Sequence, residues 1–242
     1  MEINLLVIVA VICAYVVKGM CGFANTLIFT SILSFQGDNI NITPVELLIG
    51  IPSNILLAVR ERKAIKLKAW LPLAVMVIAG SIPGIFLLKF GDVTFLKLIL
   101  GVAITSIGIE MLLRERQHKK QRSSPVFLFI IGILSGFLCG LFGIGALLAA
   151  YMGRTTETTD EFRGNLSMVL LTDNLFRLTT YITAGIMTWS VVKNALILFP
   201  FMLLGLAAGM VLSKVMDEKI MKRIVIIVLI ISGISLFLTN LV

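Results

Sequence analysis

Between Ser123 and Gly153 the chain runs for 31 residues without a charged side chain. One straight helix over that run would be roughly 45 Å long at 1.5 Å per residue. The hydrocarbon core of a bilayer is only about 30 Å thick. The run therefore either overshoots a membrane as one long helix or folds back as a hairpin of two half-helices. The stretch "GLFGIG" at 140–145 stands near its middle, and glycine suits a break.

Residues 69–88, 194–213 and 224–242 form further uncharged runs, each near the roughly 20 residues of a spanning helix. Hydrophobic residues make up 58% of the 242, 14% are charged, and the mean hydropathy is +1.05. A soluble domain is about 45–50% apolar and about 25% charged. The solvent for this much apolar surface is lipid, so the chain is expected to be an all-α, multi-pass integral membrane protein.

The net charge of +8 does not call for nucleic acid. "RERKAIKLK" (60–68) and "RERQHKKQR" (114–122) flank apolar runs with no nucleic-acid motif around them, as cytoplasmic loops do under the positive-inside rule. The first run has Glu2, no basic region before it and no small-residue cleavage site after it. It is expected to stay in the mature protein. Cys13, Cys21 and Cys139 are odd in number and lie in apolar segments. They read as buried packing residues rather than a disulfide framework. A second reading places Cys21 and Cys139, both close to glycine breaks, beside a sulfur-containing substrate.

The chain repeats itself. "GMCGFANTLI" (19–28) resembles "GLFGIGALLA" (140–149) at an offset of 121, pairing Gly19 with Gly140 and Gly22 with Gly143. "PSNIL" (52–56) lies against "TDNLF" (172–176), pairing Asn54 with Asn174. An offset of 125 then pairs Gly80 with Gly205, Gly84 with Gly209 and Gly108 with Gly233. The shared order predicts two homologous membrane halves, 1–116 and 123–242, joined by a basic cytoplasmic connector at 117–122. Each half opens with a glycine-broken segment (3–36 and 125–152). A short polar-interrupted helix follows (44–59 and 164–180), then two ordinary helices (69–89 and 95–113; 194–213 and 220–239). The Gly-x-x-x-Gly pairs at 80/84 and 205/209 read as close-packing faces.

Loop charge orients the halves. If the opening segments are hairpins that enter and leave on one side, each half crosses three times and the halves are inverted. The inner loops then hold 16 Lys and Arg and the outer segments 3. If the opening segments cross once, the split is 11 against 8. The positive-inside rule favours the inverted arrangement, with both termini outside.

Polar groups inside the bilayer are costly and serve first as functional candidates. At the breaks these are Lys18, Asn25 and Thr26, with Gly19 and Gly22; the second half offers backbone at Gly143 and Gly145. On the polar helices they are Ser53, Asn54, Asp173, Asn174 and Arg177. A half-helix beginning near Gly22 leaves unpaired N–H groups whose dipoles attract an anion. Transporters place such ends near the midplane between their repeats. The amides of Asn54 and Asn174 can donate to oxyanion oxygens. Structural readings stand beside these. Lys18 can snorkel to an interface, Asp173 and Arg177 can neutralise each other at i,i+4, and the two asparagines can be interhelical glue. Trp70, Tyr181 and Trp189, near helix ends, read as an aromatic belt. Asp173 is the group through which a proton gradient could couple.

Hydrolytic and metal chemistry find little support. The single His118 lies in the connector, so a histidine-based metal site or triad is not expected. Glu46 and Glu110 lie near the ends of different predicted helices, so no carboxylate pair shares an apolar segment. No phosphate-binding loop or dinucleotide fingerprint is present. The chain is not expected to be an enzyme.

The two broken segments, "KGMCGFANTLIF" and "CGLFGIGALLAAYM", in a chain of this size resemble the sulfite exporter TauE/SafE family, over nearly the whole length. The resemblance implies a multi-pass protein of the bacterial inner membrane that moves sulfite, sulfoacetate, related organosulfonates or other small organic anions, and implies no cofactor. The chain departs from the family pattern where Ala146 follows Gly145 without a nearby proline, and where Ala24 or Asn25 replaces a glycine. The expected partners are a small anionic substrate and the lipid bilayer, with no nucleic acid; a homo-oligomer is left open. The leading expectation is a secondary anion transporter working by alternating access. The alternatives are a transporter of a non-sulfur anion and a membrane scaffold or accessory subunit without transport of its own.

Overall fold

The computed structural model describes residues 3–33, 39–115 and 125–215, with 223, 226, 227, 230, 233, 234, 237 and 238. The connector 117–122, including His118, lies outside the described residues.

Apolar composition and intrinsic helix formers dictate helices, and every regular element among the described residues is one. They are α1 (Leu5–Cys21), α2 (Asn25–Leu33), α3 (Asn39–Arg60), α4 (Leu67–Phe90), α5 (Val93–Glu115), α6 (Pro125–Phe142), α7 (Ala146–Thr155), α8 (Thr159–Thr183) and α9 (Trp189–Leu212), with a short 3-10 helix at Arg62–Ala64. The described residues between 223 and 238 are helical as well. Among the described residues, Ile42–Arg60, Leu67–Phe90 and Trp189–Leu212 are long and apolar enough to cross a membrane. Shorter apolar helices include Leu5–Cys21 and Leu128–Phe142. The outer faces are apolar too: Phe86 is 60% exposed and Leu204 65%, a surface suited to lipid rather than water.

The 31-residue uncharged run does not form one helix. It divides into α6 and α7 around Gly143–Gly145, and the opening segment divides into α1 and α2 around Gly22–Ala24. Both breaks use the same backbone device. Gly22 (φ 82°) and Gly143 (φ 76°) adopt left-handed conformations. Each donates its N–H to the carbonyl four residues back, Lys18 and Cys139, at 2.7 Å. This caps the first helix with a residue that bears no Cβ penalty. The polar helices are longer than the sequence predicts. α3 begins at Asn39 and carries Pro44 inside it, and α8 spans 25 residues.

The paired glycines explain two close helix seams. α4 packs on α6, and α9 packs on α1. A Cβ on Gly84 would meet the backbone of Phe137, Leu141 and Gly140; one on Gly209 would meet that of Val16 and Gly19. The sequence offset of 125 pairs Gly84 with Gly209, and that of 121 pairs Gly19 with Gly140, so the same kind of contact is made twice with the paired glycines exchanged. α3 and α8, the two polar helices, pack on each other between these seams.

Two expectations are corrected here. Tyr181 is fully buried, not in an aromatic belt: its hydroxyl accepts from Arg177 Nη2 at 2.9 Å and lies 3.4 Å from the Gly140 carbonyl. α8 runs beyond the predicted end, which keeps Tyr181 beside the arginine one turn back. Cys13 is exposed while Cys21 and Cys139 are buried, because Cys13 falls on the outward face of α1.

Candidate functional site

The backbone breaks bring two helix N-termini to one cavity. Its walls include Ala24, Asn25, Thr26 and Leu27 at the start of α2, and Gly145 and Ala146 at the start of α7. The first N–H groups of a helix have no intrahelical acceptor and carry its positive dipole end. The remaining wall includes Lys18 from α1, Glu46 and Asn54 from α3, Gly143, and Asn174 from α8. The cavity amounts to about 20 Å³, room for one or two water molecules.

Seven sequence-predicted residues line this space: Lys18, Asn25, Thr26, Asn54, Gly143, Gly145 and Asn174. Lys18 does not snorkel. It is 1% exposed, and its ammonium lies 5.7 Å from the Tyr15 ring centroid. Among the described residues it has no hydrogen bond or ion pair. The repeat-related Asn54 and Asn174 are both buried. Asn54 Oδ1 has no hydrogen-bond partner in the structure. A buried polar atom left unpaired costs about 1–3 kcal/mol, and a donor such as water at the cavity would remove that cost.

The other five predicted residues do not line the cavity. Gly19 faces α9, where a Cβ would meet Leu206, Met210 and Gly209. Gly22 faces the Arg163 side chain, and the Arg163 guanidinium caps the carbonyl of Met20. Ser53 donates to the Gly50 carbonyl at 2.7 Å. Asp173 and Arg177 form their predicted ion pair, with Oδ2 and Nη1 3.9 Å apart and both side chains 1% exposed. Ser81 Oγ donates to Asp173 Oδ1 at 2.6 Å. Arg177 lies beside the site at Gly143, where an added Cβ would lie 3.0 Å from Nη1.

Glu46 is the site residue that the sequence reading missed. It is 2% exposed. Asn25 Nδ2 donates to its Oε1 at 2.6 Å and Thr26 Oγ1 donates to the same oxygen at 2.8 Å. Pro44 by itself reads as a helix start, which puts Glu46 in a first turn near water. The helix begins a full turn earlier, so Glu46 lies well inside it. The available signal was a lone carboxylate between Asp38 and Arg60 in an otherwise uncharged stretch.

Among the described residues no group of His, Cys, Asp and Glu could hold a metal ion. The cavity is built instead of donors: amides, a hydroxyl, an ammonium and the opening N–H groups of two helices. One carboxylate sits among them.

No curated protein and no solved structure matches this chain. The sequence model of the sulfite exporter TauE/SafE family matches residues 6–236. With that match over nearly its whole length, the chain belongs to the sulfite exporter TauE/SafE family, a family of membrane transporters.

Proposed function

We propose that the chain is a secondary transporter for a small anion, a sulfur oxyanion such as sulfite or an organosulfonate such as sulfoacetate, in a bacterial inner membrane. The observation that carries this reading is the convergence of two helix N-termini, Lys18 and two asparagine amides on one cavity. Helix N-termini bind anions through backbone N–H groups and aligned dipoles. Lys18, buried and without an anionic partner within ion-pair distance among the described residues, supplies an ammonium donor for such a ligand.

The halves are inverted repeats, each a broken hairpin followed by three spanning helices. The division of basic residues between loops supports this orientation. The cavity has room for only one or two waters, and an anion of four or more heavy atoms enters only when its walls separate. Rocking of the halves about the glycine seams would open it to each side in turn. The test is flux through purified protein in liposomes, with labelled sulfite, sulfoacetate and simple carboxylates. Saturable flux of a sulfur anion is expected. Absence of saturable flux for every anion would overturn the reading.

A further inference from the structure

We infer that Glu46 is the proton carrier of the transport cycle: its carboxylate is an internal anion seated on donors of the substrate site, and substrate takes those donors when Glu46 is protonated. The inference rests on the transporter reading above and adds its coupling ion. Glu46 lines the cavity. It accepts from both Asn25 and Thr26 through one oxygen, so the first polar side chains of α2 already hold an anion. A substrate approaching the same helix end meets a carboxylate in its place.

The charge balance points the same way. The groups facing Glu46 are Lys18 and Tyr15 on α1, Cys139 on α6, and Arg177 and Tyr181 on α8. Asp173 pairs with Arg177 one turn away. The charged residues of α4 and α9, Lys68, Lys89 and Lys193, are exposed. Lys18 and Arg177 against Glu46 and Asp173 leave the buried centre formally neutral. One added monovalent anion makes it negative in a medium that screens poorly. One proton on Glu46 restores neutrality for a monovalent anion, offsets half the charge of a dianion such as sulfoacetate, and frees an amide and a hydroxyl for the newcomer. Asp173, which the sequence alone offers as the coupling group, is committed to Ser81 and Arg177 and does not line the cavity.

The experiment uses the full chain in liposomes, labelled sulfoacetate and an internal pH dye. Sulfoacetate stays fully ionised from about pH 6 to about pH 8, carboxylates titrating near 4, so its own charge adds no slope. Wild type is expected to move protons with the anion. Its apparent affinity should fall as pH rises, by about tenfold per unit where Glu46 is ionised, the slope of one linked proton. Glu46→Gln should bind sulfoacetate with no pH slope and move no protons. Glu46→Asp should keep the slope, and serves if the glutamine variant fails to fold. Saturable wild-type flux without proton movement would overturn the inference and leave the transporter reading standing. So would a Glu46→Gln protein that keeps both the slope and the proton flux. Absence of all saturable anion flux in wild type would overturn the transporter reading, and this inference with it.

Discussion

Among the described residues, two acid–base sets are 2% exposed or less, Lys18 with Glu46 and Asp173 with Arg177, and the two are built differently. Asp173 and Arg177 sit one turn apart on a single helix, where Ser81 donates to Asp173 and Arg177 donates to Tyr181. Lys18 and Glu46 come from different helices; both line the cavity, and Glu46 is held by Asn25 and Thr26. The repeat puts Cys139 at the position of Lys18 and Leu166 at that of Glu46. It likewise puts Ser53 and Leu57 where the second half has Asp173 and Arg177. The backbone of the breaks is therefore common property, and the charges are private to each half. A pair closed on itself on one helix braces the fold. A pair opened across a cavity leaves its ammonium for a ligand.

The largest effect tests the bracing pair. Arg177→Met leaves Asp173 buried and uncompensated, and breaking such a pair costs about 3–5 kcal/mol. Loss of monodisperse protein in detergent, or a large drop in the melting temperature, is expected. A variant as stable as wild type would erase the contrast between the two pairs. Next comes the open pair. Lys18→Ala is expected to weaken anion binding by about ten- to a hundredfold, the worth of a hydrogen bond to a charged group. Stability should fall less than for Arg177→Met, because the wild-type ammonium has no ion-pair partner among the described residues. Unchanged affinity for sulfite and sulfoacetate would remove Lys18 from the site.

The smallest effect concerns the shared backbone. Ala24 holds φ at 73°, a left-handed conformation that costs a non-glycine residue about 1–2 kcal/mol. Ala24→Gly should raise thermal stability by about 1 kcal/mol, less the entropy glycine loses on folding. A destabilised variant would mean that the Ala24 methyl packs for more than its backbone costs.

Much of this was legible in the sequence because its causes are local. Hydropathy reports the solvent of each helix. Gly22 and Gly143 report the breaks, since a left-handed helix cap nearly demands glycine. The match of Asn54 with Asn174 placed two cavity amides before any coordinate did. Loop charge separated 19 of the 21 Lys and Arg from Lys18 and Arg177, and those two are buried at the centre. Gly19 was harder to assign. A glycine that lets a ligand approach and one that lets a helix approach look alike in sequence, and only the position of α9 distinguishes them.

The sequence by itself determined that this chain is a membrane protein and where its two glycine-broken segments break. Those are matters of composition, period and backbone conformation within a few residues. The tertiary structure alone decided which polar groups meet. Glu46 reaches Asn25 and Thr26 across some twenty residues, and Ser81 reaches Asp173 from the other half. The register of helices against one another sets those meetings. That register follows from the fit of glycine seams and apolar faces over the whole bundle, which no short stretch of sequence contains.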